Sequence, residues 1–126
     1  VNRVDNTPPA ITCPTTQTLA LNTTCSATLP GYSAASTSDN CGTPTVAQLP
    51  LSGTPVSGVG ATTVTLTAND GNGNTASCSF TVNRVDNTPP AITCPTTQTL
   101  ALNATCSATL PGYSAASTSD NAAHQR

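Results

Sequence analysis

The chain has 126 residues, a net charge of −2 with three Arg and five Asp, no Lys or Glu, and only 2% aromatic residues. With no basic patch and little aromatic surface, it lacks the features of nucleic-acid interfaces. No apolar run approaches the roughly 20 residues of a membrane span, and no signal peptide is recognisable. Abundant Thr, Val, Pro, Gly and Asn, without a helical apolar stripe, predict an all-β chain.

Short strands are predicted along the first 85 residues, and turn-forming stretches separate them. The predicted strands are residues 10–13, 16–21, 25–29, 45–49, 62–68 and 75–85. The last two alternate apolar and polar residues with period 2, so one face of each is expected to point into a core. The inward positions are Val64, Leu66, Ala68, Cys78, Phe80 and Val82. Strands of this length and spacing predict a β-sandwich.

The chain contains an internal repeat. Residues 1–40 recur as residues 82–121 with one difference, Thr23 against Ala104. Such identity is typical of an array of duplicated units. We therefore divide the chain into one complete repeat, residues 1–85 with a linker at 1–9, and the N-terminal half of a second repeat, residues 86–126. Within the second, residues 122–126 form a tail that matches nothing in the first copy.

The six cysteines indicate disulfides and an oxidising compartment. Their spacing lacks the CxxC or Cys/His pattern of zinc sites. Two arrangements are open in the complete repeat. Cys13 pairs with Cys41, which leaves Cys25 with Cys78, or Cys13 pairs with Cys78 because first and last strands are often neighbours.

The half-repeat retains Cys94 and Cys106 but has no counterparts of the two later cysteines. These two thiols can pair with each other, pair with another chain or stay reduced. Because two or three strands cannot offset the entropy of ordering about 40 residues, we expect another chain or the remainder of an array to cover the apolar face of an ordered half-repeat.

Four motifs follow one another in the order of a known family. The succession DNTPPAITCP, CSATLP, SDNC and GATTVTLTANDGNGNTASCSFTV resembles the HYR (hyalin repeat) domain. The resemblance covers the complete repeat and the first half of the second. It implies an extracellular, immunoglobulin-like module that usually occurs in tandem, is implicated in cell adhesion and has no known enzymatic activity as a class. The half-repeat departs from the pattern, since it lacks the last two cysteines and the last strands.

In an immunoglobulin-like sandwich, three Asp-bearing segments are expected to lie at one end: Asp5 with Asn6, Asp39 with Asn40, and residues 70–74. Three carboxylates in proximity repel one another unless protons or a cation neutralise them, and Asp and Asn oxygens suit Ca²⁺. The candidate calcium ligands are Asp5, Asp39, Asp70 and Asn72, with Asp86 and Asp120 in the second repeat. The alternative is that these residues only form turns.

Other candidate sites are few. Asn22 and Asn103 occupy the only N-x-[ST] sequons, at the tip of the same predicted turn, and are candidate glycosylation sites. No catalytic residues are assigned, because His124 lies in the tail without a candidate nucleophile near it in sequence. Glycans are also candidate partners, since Tyr32 and Tyr113 offer rings that can stack on sugars.

These observations favour a non-enzymatic structural repeat that forms a stalk or a self-assembling filament, with neighbouring copies of itself as partners. The alternative is an adhesin module that binds a protein or a glycan through its end loops. Binding loops tend to differ between units, whereas residues 31–40 and 112–121 are identical. This identity favours a structural repeat that acts as a spacer over an adhesin module.

Overall fold

Strands and turns, without a helix, make up residues 1–120, which are the residues that this computed structural model describes. The complete repeat contains β1 (Ala10–Thr12), β2 (Gln17–Ala20), β3 (Ser26–Thr28), β4 (Ser36–Ser38), β5 (Thr45–Leu49), β6 (Pro55–Ser57), β7 (Gly60–Asn69) and β8 (Thr75–Val85). The half-repeat contains β9 (Ala91–Thr93) and β10 (Ser117–Ser119). The predicted all-β, sandwich-like fold class is confirmed, whereas the tail 122–126 lies outside the described residues.

The β7–β8 hairpin is the centre of the repeat. Its antiparallel register runs from Gly60 opposite Arg84 to Asn69 opposite Thr75. β5 extends this sheet antiparallel to β7, and β2 extends it parallel to β8, so the order is β2-β8-β7-β5. Two short antiparallel ladders, β1–β4 and β3–β6, supply the opposing layer.

The core lies between the inner face of the hairpin and these two ladders. The predicted inward residues Val64, Leu66, Ala68, Phe80 and Val82 are all buried, and Cys78 is partly buried. From the opposing layer, Leu29 is buried and Ile11, Ala34 and Val56 are partly buried against them. The rings of Tyr32 and Phe80 meet edge to face, with centroids 5.1 Å apart. The period-2 pattern therefore identifies the inner face of the hairpin correctly.

The outer face of the hairpin carries hydroxyl groups that hydrogen-bond across the two strands. Thr65 Oγ1 and Ser79 Oγ are 2.9 Å apart, and Thr67 Oγ1 and Ser77 Oγ are 2.8 Å apart. Such directly opposed pairs stabilise a sheet modestly. The sheet thus presents an uncharged, hydroxylated surface to solvent.

Two strands fall where the sequence predicts loops. β4 and β6 have three residues each and consist of Ser, Thr, Pro and Val, too short for any alternation to show. They form because Thr37 meets Ile11 of β1 and Val56 meets Ala27 of β3. Strand β3 also begins at Ser26 rather than the predicted residue 25, because Cys25 has φ 57° and cannot continue a strand.

The half-repeat shows what the same sequence does without its partner strands. The β9–β10 ladder reproduces β1–β4, and the Asn103 turn reproduces the Asn22 turn. Residues 98–101 and 107–109, the counterparts of β2 and β3, form no strand, and residues 91–120 are all exposed. Leu21 and Leu29 are 5% and 1% exposed, whereas their counterparts Leu102 and Leu110 are 58% and 79% exposed. Strands β2 and β3 therefore require β8 and β6.

Gly60 gives a local test of this architecture. Its φ is +154°, and an added Cβ would lie 2.8 Å from Nη2 of Arg84, whose Nη1 donates to the carbonyl of Ser57 at 3.0 Å. Gly60→Ala is expected to lower the free energy of unfolding by about 1 kcal/mol, because it strains the backbone and shifts the guanidinium. In Gly112→Ala the new Cβ meets nothing within 4 Å, so that variant is the control. Equal urea midpoints for the two variants would contradict the expectation.

Candidate functional site

The three Asp-bearing loops of the complete repeat meet at one end of the sandwich. Each of Asp5, Asp39 and Asp70 contributes one carboxylate oxygen to a cluster in which these oxygens lie within 4.8 Å of one another. Among residues 1–120, this is the one group of three potential metal-binding acids or thiols within that distance. Asp86 and Asp120 of the half-repeat do not belong to it.

The strand directions explain this meeting. The N-terminal segment runs alongside β8 in the same direction, with Asp5 at the hairpin turn, Cys13 bonded to Cys78, and Gln17 opposite Val82. Strand β4 is antiparallel to β1, so residues that follow Ser38 return to the Asp5 end. The β7–β8 turn, residues 70–74, completes the end.

The turn of the hairpin is built around Asp70. Its Oδ1 accepts hydrogen bonds from the backbone N–H groups of Asn72 at 2.7 Å and Asn74 at 3.0 Å. Gly71 and Gly73 have φ of 81° and 105°, which only glycine adopts without strain. The sequence NDGNGN therefore forms a tight turn, as the alternative to metal binding requires of it.

Amide side chains connect the three loops through Asp5. Asn40 Nδ2 donates to Asp5 Oδ1 at 3.2 Å, and Asn72 Nδ2 donates to Asp5 Oδ2 at 3.5 Å. Asn74 Nδ2 lies 3.0 Å from the backbone carbonyl of Asp5 and also donates to Asp70 Oδ2. Asn40 and Asn74 are not among the candidate ligands named from the sequence. The sequence features that could have identified them are the position of Asn40 next to Asp39 and of Asn74 at the end of the glycine-rich turn.

Asp39 is the least satisfied member of the cluster. Its Oδ2 accepts a hydrogen bond from the backbone N–H of Cys41 at 3.2 Å. Its Oδ1 is inaccessible to solvent and has no hydrogen-bond donor. A buried carboxylate oxygen without a partner is destabilising, and a cation would remove that cost.

Hydrogen bonds keep two of the carboxylates ionised. The backbone N–H of Thr7 lowers the pKa of Asp5, with help from Asn40 and against partial desolvation. Desolvation opposes the shift at Asp70, but the side chain of Asn74 and the N–H groups of Asn72 and Asn74 lower its pKa overall. Because both folded-state values lie below the unfolded values, these groups stabilise the fold above about pH 4 and lose that contribution as pH falls further.

The pKa of the neighbouring Cys41 thiol is shifted upward, whereas those of Asp5 and Asp70 are shifted downward. Its hydrogen bond to Asp5 raises the pKa of Cys41, and desolvation and the charges of Asp39 and Asp70 add to the effect. A thiol beside three acids stays protonated at neutral pH and is a poor nucleophile. The cluster is therefore unsuited to cysteine catalysis, and its ionised oxygens are of the type that Ca²⁺ takes as ligands.

One disulfide closes the repeat. Cys13 and Cys78 are bonded, with their Cα atoms 5.7 Å apart, as in the second of the two predicted arrangements. The first, Cys13–Cys41 with Cys25–Cys78, is wrong. Cys13 follows β1 while Cys41 follows the antiparallel β4, so the two lie at opposite ends of that ladder, and Cys25 is buried in the turn after β2.

The half-repeat thiols Cys94 and Cys106 are both free and exposed, so they are not bonded to each other. Neither has a counterpart of Cys78 within its own half-repeat. The exposed position of Cys94 contrasts with the bonded state of the identical position, Cys13.

Both sequon asparagines lie in exposed turns with the same geometry. Asn22 Oδ1 accepts from the N–H and hydroxyl of Thr24 at 2.9 and 2.7 Å, and from Ser26. Asn103 makes the equivalent bonds with Thr105 and Ser107. Both side chains are exposed, and the bonds use only Oδ1, so the amide nitrogen that would carry a glycan is not consumed by the turn.

Comparison with known proteins identifies the family. The HYR domain matches residues 4–84. This chain belongs to the HYR domain family. Hyalin of Lytechinus variegatus is 38% identical over 103 residues, which cover 77% of this chain and 19% of Hyalin. The chain thus spans about a fifth of the length of that relative. No solved structure matches this chain significantly.

Membership of the HYR family confirms the resemblance seen in the sequence motifs. The chain is an extracellular repeat, and the Cys13–Cys78 disulfide accords with an oxidising compartment. The family is a non-enzymatic one. Within residues 1–120 there is no helix long and apolar enough to cross a membrane.

Proposed function

We propose that this chain is a non-catalytic structural repeat of an extracellular protein in which near-identical modules are joined end to end as a stalk or filament. The observation that carries the proposal is that the last strand of one module runs without a break into the sequence of the next. Residues 82–85 are the last four residues of β8, and they have the same sequence, VNRV, as residues 1–4. The longest strand of one module therefore continues directly into the next.

The acid cluster is placed to control that joint. Asp86 follows Val85 directly, and its counterpart Asp5 is the residue that Asn40, Asn72 and Asn74 hold in the cluster. In an array, the cluster of each module would begin one residue after the last strand of the preceding module. Any group that fixes the cluster would thereby restrict bending between modules.

Calcium is the group that we propose for this position. Asp5, Asp39 and Asp70 would supply carboxylate oxygens, and Asn72 would turn its Oδ1 inward. Support comes from the mutual proximity of three acids and from the unpartnered, inaccessible Oδ1 of Asp39. A bound divalent cation would neutralise the repulsion among the carboxylates and give Asp39 Oδ1 a partner.

Thermal unfolding with added Ca²⁺ tests the site. Saturating Ca²⁺ is expected to raise the Tm of the complete repeat by about 4 °C or more, since a ligand that binds only the folded state stabilises it. Asp39→Asn is expected to abolish this increment. Asp120→Asn changes the same position of the half-repeat and is expected to keep it. An increment that survives Asp39→Asn, or no increment in the unmodified chain, would contradict the calcium proposal.

The surface would suit a spacer with attached sugars. Asn22 and Asn103 are exposed in turns at equivalent positions, and the outer face of the hairpin is rich in hydroxyls. N-linked glycans on these residues would extend into solvent. The adhesin alternative has less support. Binding loops commonly differ between units, whereas the 31–40 and 112–121 loops are identical between the two copies.

A further inference from the structure

The hairpin turn contains two places where a glycine follows a residue with a side-chain carbonyl. Gly71 follows Asp70, and Gly73 follows Asn72, which forms the one Asn-Gly pair in the chain. When the backbone nitrogen attacks the side-chain carbonyl of the preceding Asn or Asp, a five-membered succinimide ring closes. Glycine permits this close approach because it has no Cβ. Both pairs are therefore candidates for the same covalent modification.

Hydrogen bonds protect the Asp70–Gly71 pair. The Gly71 N–H donates to Oδ1 of Asn69 at 2.7 Å, so the nitrogen that would attack is already engaged. The Asp70 carboxylate accepts from the N–H groups of Asn72 and Asn74 and from Nδ2 of Asn74. These bonds lower the pKa of Asp70 and keep it ionised. An ionised carboxylate resists attack, because its oxygen is a poor leaving group.

No comparable bonds protect the Asn72–Gly73 pair. Both residues are exposed. Within residues 1–120, the Gly73 N–H donates no hydrogen bond to a protein group and Oδ1 of Asn72 accepts none. The amide of Asn72 is held only through Nδ2, which lies 3.5 Å from Oδ2 of Asp5, at the long limit of a hydrogen bond. Rotation of this side chain toward the Gly73 nitrogen therefore breaks one weak contact.

We propose that Asn72 is a site of spontaneous deamidation, which adds a fourth carboxylate to the end of the sandwich that holds Asp5, Asp39 and Asp70. The product is an aspartate or an isoaspartate at position 72. This inference goes beyond the proposed function and does not require calcium. Because the acid cluster begins each module of the proposed array, the modification would loosen the joint as the protein ages.

The reaction consumes one water and releases one ammonia. The Gly73 nitrogen loses its proton and attacks Cγ of Asn72, so an N–Cγ bond forms. The bond from Cγ to Nδ2 breaks, and Nδ2 leaves as ammonia with the added proton. Water then attacks either carbonyl of the succinimide and breaks one of its two C–N bonds. One opening gives aspartate and the other isoaspartate, and neither step needs an oxidant, a reductant or an enzyme.

Both products weaken the contacts that hold the three loops together. In either product an oxygen replaces the Nδ2 donor that faces Asp5, so an attraction becomes a repulsion between like charges. In isoaspartate the main chain is also longer by one methylene. Oδ1 of Asp70 binds N–H groups on both sides of that linkage, those of Asn72 and Asn74. Asn74 in turn binds the carbonyl of Asp5.

Incubation of the full chain in EDTA at mildly alkaline pH, which favours loss of the Gly73 proton, tests the modification. Reduction followed by chymotrypsin, which cuts after Leu66 and Phe80, gives residues 67–80 with Asn69, Asn72 and Asn74 in one peptide. Tandem mass spectrometry locates the lost amide. Deamidation at Asn72 is expected to be at least about tenfold faster than at the other two, because they precede residues with a Cβ.

Unfolding the chain tests the protection of Asp70. Isomerisation at Asp70 is measured on the same peptide, as a product of unchanged mass that separates by chromatography. The ratio of reaction at Asn72 to reaction at Asp70 is expected to fall about tenfold or more in urea, since the hydrogen bonds that protect Asp70 are then lost.

The effect of the added charge is measured with Asn72→Asp in EDTA. Its Tm is expected to be about 4 °C or more below that of the unmodified chain, because the new carboxylate meets three others. Asn103→Asp adds the same charge to an exposed turn outside the cluster, and it is expected to change Tm by less than about 2 °C.

Three results would overturn the inference: deamidation at Asn72 no faster than at Asn69 and Asn74, an Asn72-to-Asp70 ratio that urea leaves unchanged, or equal Tm values for Asn72→Asp and Asn103→Asp. All of these measurements are made without calcium. A missing calcium-dependent Tm increment would therefore contradict the calcium proposal alone.

Discussion

Replacing both Cys13 and Cys78 with serine is expected to lower the free energy of unfolding of the complete repeat by about 4 kcal/mol. The bond joins residues that are 65 apart in sequence, and closing a loop of that length restricts the unfolded chain by about this amount. A small domain has a total stability of about 5–15 kcal/mol. The loss would therefore remove a large fraction of the stability and leave much of the protein unfolded at moderate temperature.

Urea denaturation monitored by circular dichroism measures this effect, and the chain supplies its own control. Cys94 occupies the same sequence position as Cys13 but makes no disulfide. Cys94→Ser is expected to change the free energy of unfolding by less than about 0.5 kcal/mol, as exposed substitutions usually do. Similar urea midpoints for the double variant and for Cys94→Ser would show that the Cys13–Cys78 bond does not stabilise the fold.

Leu29→Ala is expected to cost about 2–5 kcal/mol, because Leu29 is fully buried in the cluster of Val64, Leu66, Phe80 and Val82. The truncation removes apolar contacts and leaves a cavity against the hairpin. Its position is also fixed by hydrogen bonds, since the Leu29 N–H donates to the carbonyl of Thr54 and its carbonyl accepts from Gly53. The neighbours of Leu29 are therefore poorly placed to collapse into the space.

Leu110→Ala is the matched variant, with the same residue in the same local sequence. Leu110 is exposed, so its truncation is expected to change stability by less than about 0.5 kcal/mol in dilute solution. Thermal or urea unfolding of the two variants separates the effect of burial from that of sequence. Comparable losses in both would mean that the half-repeat is buried in solution, as self-association would require.

The longest strands could be predicted from the sequence, and the shortest could not. Ten or eleven residues of alternating apolar and polar character define β7 and β8, and their inward side chains form the core as predicted. Three residues carry no period, so β4 and β6 exist only because β1 and β3 offer them paired backbone groups. The half-repeat demonstrates the same dependence, since copies of β2 and β3 without partners form no strand.

The acids of the candidate site could be predicted because so few charges are present. Five Asp residues in loops, together with the family resemblance, were enough to predict that Asp5, Asp39 and Asp70 meet. The roles of Asn40 and Asn74 depend on side-chain directions that no spacing reveals. The choice between disulfide arrangements likewise required the direction of β4 relative to β1, which sets Cys41 far from Cys13 along the ladder.

Electron microscopy of the purified chain, concentrated to about 1 mM and then stained with either Ca²⁺ or EDTA present, tests most directly the claim that these modules associate end to end through fixed joints. The account predicts elongated, end-joined particles under both conditions, straighter in Ca²⁺ and more curved in EDTA, because Ca²⁺ is proposed to stiffen the joint and not to form it. Discrete compact particles that look the same in Ca²⁺ and in EDTA would contradict it.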